Sequence, residues 1–207
     1  MKLFVSAEDE LSRAVIAKMA NVISDGDVQL TILGPRHGGF GYIKKSLRKF
    51  CNLALRERVF VLTDLDRAEC APTLRASWLD TLPDWDDFPE CMVFCVAVRE
   101  VEAWLMADAL AFASFFSVSP TALASDIEST VTDPKEFLVA TVKKSTDRSL
   151  REAVVPASKS NAAVGFGYNQ VLSKFVAESW LPERGASSSK SLNRAINRLE
   201  TLLGVTA

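Results

Sequence analysis

The sequence predicts an α/β protein with a mostly parallel central sheet of about four strands, flanked by helices and followed by a helical C-terminal part. Short apolar runs alternate with helical patterns up to about residue 108, which is typical of a parallel sheet covered by helices. Beyond that point the strand signal fades. The chain has 207 residues, 48% of them hydrophobic, which is enough for a sizeable core. We therefore expect an α/β core at residues 1–108 and a helical region at residues 109–207, packed on or beside that core.

Four short runs of apolar residues predict the strands of the sheet, at residues 2–6, 28–33, 59–63 and 91–98. Three segments whose apolar residues recur at helical spacing predict the helices between them, at residues 8–24, 42–55 and 71–82. Residues 59–63 are apolar without interruption, which suits a strand buried on both faces. The alternating order of strands and helices predicts parallel pairing.

Helical spacing continues in the second half and predicts helices at residues 112–118, 120–125, 134–144, 168–180 and 190–203. Pro120 and Pro134 suit the first turn of a helix, where a backbone N–H has no partner within the helix. The polar residues 145–167 predict an irregular segment.

Composition and charge exclude several classes of protein. The net charge of −2 excludes a strongly basic nucleic-acid coat protein. The longest apolar runs are far shorter than the roughly 20 residues that span a bilayer, and the first residues lack the pattern of a signal peptide. The four cysteines have neither zinc spacing nor a disulfide framework. These features predict a reduced, cytoplasmic protein with no membrane segment.

The charges are unevenly distributed along the chain. Residues 64–138 carry 15 acidic and 4 basic side chains, whereas the segments before and after them each carry 10 basic ones. A solvated acidic surface explains this pattern. The alternative is a cation site flanked by surfaces that bind a polyanion.

Several acids follow the predicted strands. Asp64 and Asp66 come directly after the third strand, Glu8 and Glu10 follow the first, and Glu102 follows the fourth. The carboxyl ends of parallel strands meet at one edge of the sheet, where open α/β sheets bind ligands. On an extended backbone Asp64 and Asp66 point the same way and share one cation, and Mg²⁺ prefers such oxygen ligands. The simpler explanations are turn residues and acids that stabilise the first turn of a helix.

Two regions offer basic side chains for phosphate binding. One is the loop at residues 34–41, which contains four glycines, together with the basic helix after it; the other is the last predicted helix. A glycine-rich turn before a helix can bind phosphates through its backbone N–H groups, although a flexible loop and a solvated helix face explain the same residues. The candidate nucleic-acid-binding residues are Arg36, His37, Lys44, Lys45, Arg48, Lys190 and Arg194.

Several strings of residues occur together in one order. They are the acidic turn at residues 5–10, Gly-Pro-Arg-His-Gly-Gly at 34–39, Val-Leu-Thr-Asp-Leu-Asp at 61–66, Arg-Glu-Val-Glu-Ala-Trp-Leu-Met-Ala-Asp at 99–108 and a late Ser-x-Ser-Leu-x-Arg-Ala. In this combination the chain resembles TOPRIM-like proteins often encoded beside ATPases in bacterial defence loci. These are relatives of the nuclease half of the OLD (overcoming lysogenisation defect) proteins. The resemblance covers most of the chain.

The resemblance implies roles for individual residues. The implied ligands of Mg²⁺ or Mn²⁺ are Asp64, Asp66, Glu10 and Glu102, and with Glu8 they form the candidate catalytic set. The family's opening motif contains two glutamates, of which the second matches Glu10 and the first falls on Ser6. Either Glu8 or Glu10 replaces the first glutamate from a shifted backbone, or this chain is catalytically impaired.

The resemblance also implies a function, namely a metal-dependent nuclease that nicks or cleaves DNA or RNA as the effector of an ATPase-associated antiviral defence system. Two alternatives stay open. A catalytically impaired subunit would use the same scaffold to dock an ATPase or a nucleic acid. An enzyme acting on small nucleotides would use the same metal chemistry. The expected partners are a nucleic acid and an ATPase, and a homodimer is compatible with the sequence.

Overall fold

Four parallel strands form the central sheet of the structure, a computed structural model that describes residues 1–35 and 39–205. The strands are β1 (Lys2–Ala7), β2 (Gln29–Ile32), β3 (Val59–Asp64) and β4 (Met92–Ala97). Their order in the sheet is β2-β1-β3-β4, and each pair of neighbours is parallel. This arrangement confirms the predicted α/β class and the parallel sheet flanked by helices.

Helices connect the strands and make up most of the chain after β4. The connecting helices are α1 (Glu10–Ile23), α2 (Gly39–Ala54) and α3 (Ala71–Leu79). The later helices are α4 (Val101–Ala107), α5 (Ala109–Phe115), α6 (Ile127–Thr130), α7 (Pro134–Val142), α8 (Arg148–Val154), α9 (Tyr168–Glu178), α10 (Pro182–Ala186) and α11 (Lys190–Leu203), with a 3₁₀ turn at Pro120–Ala122. Asp9 fixes the start of α1, because its carboxylate accepts a hydrogen bond from the backbone N–H of Ser12 at 2.8 Å.

A hydrophobic cluster covers each face of the sheet. β3 contributes alternate residues to the two clusters, Phe60 and Leu62 to one and Val59 and Val61 to the other, as the period of a strand requires. The second of these clusters lies under α2 and α3. The first combines α1 with the helices after β4 and contains Trp104, Phe112, Phe116, Phe175, Trp180 and Leu199. The helical region therefore shares one core with the α/β part. Residue 108 marks only the point along the chain after which the secondary structure is entirely helical.

Several short helices differ from the sequence prediction. The segment at residues 145–167, predicted as irregular, contains α8, and the helix predicted at 120–125 is only a 3₁₀ turn. α8 forms because the Asp147 carboxylate accepts hydrogen bonds from the backbone N–H groups of Ser149 and Leu150 at 2.8 and 3.1 Å. At seven residues α8 has about two turns, too few for a helical repeat of apolar residues to be recognised.

Across the described residues, no single helix combines the length and apolar composition needed to cross a bilayer. The segments Ala109–Phe115 and Pro120–Thr130 reach that length and composition only when they are counted together, and the chain bends by 112° between them.

Candidate functional site

Three carboxylates meet at the carboxyl edge of the sheet. Glu8 directly follows β1, Asp64 is the last residue of β3, and Glu102 lies in the first turn of α4, just after β4. β3 pairs with β1 on one side and with β4 on the other. The sheet therefore brings together side chains that are distant in sequence, as the strand order predicts. We call Glu8, Asp64 and Glu102 the acidic edge.

Hydrogen bonds link Glu8 and Asp64 to their neighbours. The Oε1 atom of Glu8 accepts hydrogen bonds from the Thr63 hydroxyl and from the backbone N–H of Asp64, the latter at 3.1 Å. The Oδ1 atom of Asp64 accepts one from the backbone N–H of Val101, at 3.1 Å, where α4 begins. Both carboxylates are therefore held in position by β3 and α4, while each remains partly exposed to solvent.

Glu102 is almost completely buried, with 1% of its surface exposed. Its Oε1 atom accepts a hydrogen bond from the Tyr168 hydroxyl at 2.8 Å and lies 3.6 Å from Lys135 Nζ. Lys135 also lies 3.6 Å from Glu100 Oε1, and its backbone N–H donates to Glu100 Oε2 at 2.8 Å. The other oxygen of Glu102, Oε2, is buried and has no hydrogen-bond partner among the described residues.

Burial and like charge leave these acids poorly compensated. Burial raises the pKa of Asp64 well above its ordinary value, and the charges of Glu102 and Glu8 raise it further. Burial also raises the pKa of Glu8, although hydrogen bonds from Thr63 and Asp64 partly offset the effect. It raises the pKa of Glu102 too, with partial compensation by Lys135. Ionisation of the acidic edge is thus disfavoured, and the neighbouring groups compensate for it only in part.

Lys135 responds to the same charges in the opposite direction. Burial alone would lower the pKa of its ammonium, but Glu102, Glu100 and Asp64 together raise that pKa above its ordinary value. Lys135 therefore stays protonated beside Glu102 throughout the ordinary pH range.

Asp108 is another buried acid of this fold, and the charge of its carboxylate is fully compensated. It is 3% exposed, and Arg184 binds it through both oxygens, with Nε 3.0 Å from Oδ1 and Nη2 2.8 Å from Oδ2. The backbone N–H of Leu181 adds a hydrogen bond at 3.1 Å. A bidentate arginine of this kind satisfies a buried acid. Among the described residues, no arginine pairs with a carboxylate of the acidic edge.

The donors at the acidic edge suit a hard divalent cation. All are carboxylate oxygens, and Glu102 Oε2 is a buried acceptor without a partner among the described residues. In the part of the chain that the structure describes, no group of three or more His, Cys, Asp or Glu side chains has the arrangement of a metal site. Mg²⁺ commonly takes only one or two carboxylates and completes its shell with water and substrate phosphate. The residues present fit an ion bound in that way.

Three residues that the sequence analysis singled out are not part of the acidic edge. Asp66 is exposed and has a left-handed backbone with φ of 47°, so the extended geometry expected to align it with Asp64 is absent. Glu10 begins α1 and is also exposed. Ser6 is completely buried in β1, and its hydroxyl has no partner within the described residues. Glu8, two residues after Ser6, is the acid of this segment that reaches β3.

The predicted phosphate-binding residues fall into separate places. Arg36 and His37 lie outside the described residues. α2 carries Lys44, Lys45 and Arg48 and begins beside Glu8, whose carbonyl accepts a hydrogen bond from the Gly39 N–H at 3.1 Å. Of these, Arg48 is paired with a carboxylate of Asp84 at 2.6 Å.

The other predicted pair, Lys190 and Arg194, lies at the start of α11. Together with Arg99 these residues line a cavity of about 410 Å³. Arg99 Nη1 donates to the carbonyl of Asp66 at 3.1 Å, so this cavity adjoins the turn that follows β3.

Sequence reasoning missed Lys135 and Tyr168. Both come from helices after residue 108. α7 packs against α4 and brings Lys135 to Glu102, whereas α9 packs against α1 and α8 and brings Tyr168 to it. The sequence feature that could have pointed to Lys135 is its place among the four basic residues of the acidic segment 64–138.

No protein-family model, curated protein or solved structure matches this chain. The TOPRIM resemblance thus stays a prediction from sequence motifs. The geometry of the acidic edge bears on function independently of that resemblance.

Proposed function

We propose that this chain is a metal-dependent nuclease that hydrolyses phosphodiester bonds of DNA or RNA at the acidic edge. The observation that carries the proposal is the clustering of Asp64, Glu102 and Glu8 without full compensation, while Asp108 elsewhere has a bidentate arginine. An arrangement that costs stability and lies where α/β sheets bind ligands favours a functional origin.

The residues of the edge suit distinct tasks. Asp64 and Glu102 would hold Mg²⁺ or Mn²⁺, which when bound activates water and stabilises charge on the phosphate. Glu8, held by Thr63 and with a raised pKa, is suited to accept a proton from the attacking water. Lys135 keeps an ammonium beside Glu102, where it can stabilise negative charge on a phosphate oxygen.

Basic side chains near the edge support a polymeric substrate. Lys44 and Lys45 follow the end of α2 that adjoins Glu8, and Lys190 and Arg194 line the cavity beside Asp66. Such groups can contact the phosphates on either side of a scissile bond. A mononucleotide would use few of them, which favours a nucleic acid over a small nucleotide.

The test compares cleavage of labelled DNA and RNA oligonucleotides in Mn²⁺ by the wild type and by Asp64→Asn and Glu102→Gln. We expect each substitution to lower the rate by about 10²- to 10⁴-fold, because it removes a charged group at the reacting centre and keeps its size. Asp80→Asn is the matched control, since Asp80 is an exposed acid at the end of α3. Cleavage that persists in Asp64→Asn would contradict the proposal.

One observation favours a second candidate, the catalytically impaired subunit that binds a nucleic acid or an ATPase. Ser6 stands where the TOPRIM resemblance expects a glutamate, and its side chain is buried within the sheet. This candidate predicts that the wild type binds oligonucleotides but cuts neither DNA nor RNA in Mn²⁺. The ATPase partner itself stays a prediction from the resemblance.

A further inference from the structure

A groove runs along the side of the sheet that ends in β4. This strand is the last in the order β2-β1-β3-β4, so only one of its two sides pairs with another strand. Side chains of α3 and α11 flank the free side of β4 and form the walls of the groove. Three adjoining cavities, of about 410, 690 and 830 Å³, make up its length. We call them together the β4 groove.

The three cavities follow one another in the same order along β4 and α11. The first lies beside Val98 after the carboxyl end of β4, the second beside the middle of the strand and the third beside its first residues. Arg194 lines both the first and the second cavity, and Arg198 lines both the second and the third. The groove is therefore continuous over the six residues of β4, a length of about 20 Å. It begins at Leu65, which directly follows Asp64, and ends at the amino edge of the sheet.

α11 presents a line of cations to this groove. Lys190, Arg194 and Arg198 are exposed and recur every four residues, so they lie on one face of the helix at intervals of about 6 Å along its axis. Among the described residues, none of the three forms an ion pair with an acid. The one acid of α11, Glu200, lies two residues after Arg198 and faces another way. Like charges at this spacing destabilise a helix, so an anionic ligand would relieve their repulsion.

The middle cavity of the groove is the most strongly cationic. Arg75 of α3 lines it together with Arg194 and Arg198 of α11. Asp87 is the one acid among the described residues that line it, and this acid pairs with Arg75. The other acids of the groove line only the two outer cavities; they are Glu57, Glu69, Glu90 and Glu128. Charge complementarity therefore favours an anion in the middle of the groove.

The free side of β4 could in principle accept a strand from another chain instead, because an unpaired strand edge offers backbone hydrogen bonds. Side chains of α11 already occupy some of these backbone groups. Arg198 Nη1 donates to the carbonyl of Phe94 at 3.1 Å, and the backbone N–H of Val98 donates to the Ser191 hydroxyl at 3.3 Å. An added strand would have to displace both contacts. The groove thus suits a ligand that is bound through charge rather than through strand pairing.

We propose that the β4 groove binds the sugar-phosphate backbone of a nucleic acid. This inference rests on the proposed function and deepens it, because it extends the contact surface from Lys190 and Arg194 along β4 to the opposite edge of the sheet. The guanidinium groups of Arg75, Arg194 and Arg198 match the geometry of phosphate oxygens. Contacts with phosphates carry no sequence information, so binding is independent of sequence and weakens steeply with salt.

Fluorescence anisotropy of a labelled DNA of about 20 nucleotides, single-stranded and duplex, tests the groove with the full chain in EDTA, where metal-dependent cleavage does not occur. Arg194→Gln/Arg198→Gln should weaken binding by about 10- to 60-fold at about 0.1 M salt, as expected from the loss of two phosphate contacts. The slope of log K against log salt should fall in magnitude by roughly 1.4 to 1.8 for the same reason. Arg194→Lys/Arg198→Lys keeps both charges and should retain most of the affinity and of the slope.

Lys143→Gln/Lys144→Gln is the matched control. It removes the same charge from two exposed lysines at the end of α7, and neither of them lines the groove. Thermal unfolding of each variant separates a loss of binding from a loss of folding. The groove is refuted by wild-type protein that binds no DNA, by unchanged binding in the double glutamine variant, or by an equal loss in the control or in the double lysine variant.

Cleavage is measured separately in Mn²⁺, so that the groove and the nuclease can fail independently. Binding in EDTA that depends on the charges of Arg194 and Arg198, without any cleavage in Mn²⁺, would support the groove and count against the nuclease. Cleavage by the wild type, together with unchanged binding and cleavage by Arg194→Gln/Arg198→Gln, would support the nuclease and eliminate the groove.

Discussion

Asp64 combines a half-buried carboxylate with neighbours of like charge, and this combination affects stability. Its pKa is raised in the folded chain, so the folded state holds a proton on Asp64 more tightly than the unfolded state does. Stability from this group is therefore fully present below the unfolded pKa of about 4 and is lost as the pH rises through the folded pKa.

We expect Asp64→Asn to stabilise the metal-free protein at about pH 8 by roughly 0.5–2 kcal/mol, because asparagine removes the charge and can still accept the hydrogen bond from Val101. The gain should shrink as the pH falls from the folded pKa towards about 4, below which Asp64 is neutral in the unfolded chain as well. Urea unfolding of both proteins across this range measures the difference, with Asp80→Asn as the control. A loss of stability at pH 8, or a gain independent of pH, would refute the account of Asp64.

Individual residues also show how far the sequence could predict the site. Asp64 and Glu102 were predictable, because each follows a strand whose carboxyl end lies at a known edge of a parallel sheet. Asp66 was not, because its left-handed backbone ends the alternation that the prediction assumed. Lys135 and Tyr168 reach Glu102 through packing of distant helices, which the spacing of residues along the chain does not encode.

Among the elements, long amphipathic helices and apolar strands were predictable and short ones were not. The predicted helix at residues 190–203 coincides with α11, whose apolar side chains recur over 14 residues. α8 and α10, with seven and five residues, depend on local capping and on the packing of their neighbours. Chain segments of that length carry too little periodicity to be recognised.

The packing of α1 leads to a prediction about the two parts of the chain. Leu11, Val15, Ile16 and Met19 of α1 are completely buried in the cluster that also contains Phe175 and Leu199 from the C-terminal helices. Residues 1–108 alone would expose this face to water, so we expect them not to fold cooperatively. Circular dichroism and heteronuclear NMR of that fragment provide the measurement. A well-dispersed spectrum and a sharp unfolding transition would show that the fragment has a core of its own.

In the whole molecule, the acidic side chains of residues 64–138 have more than one role. Asp84 and Asp87 form ion pairs with Arg48 and Arg75 on the surface, and these contacts contribute little to stability. Asp64 and Glu102 belong to the acidic edge instead. The charge distribution drew attention to this segment, but the sequence could not separate solvated acids from clustered ones. That separation depends on how the sheet orders its strands.

The proposed nuclease activity requires the acidic edge to bind a divalent cation, and isothermal titration with Mn²⁺ tests this most directly. We predict that the wild type and Asp80→Asn bind roughly one or two Mn²⁺ ions per chain, whereas Asp64→Asn binds at least about tenfold more weakly. Absence of binding by the wild type, or equal binding by Asp64→Asn, would contradict the account.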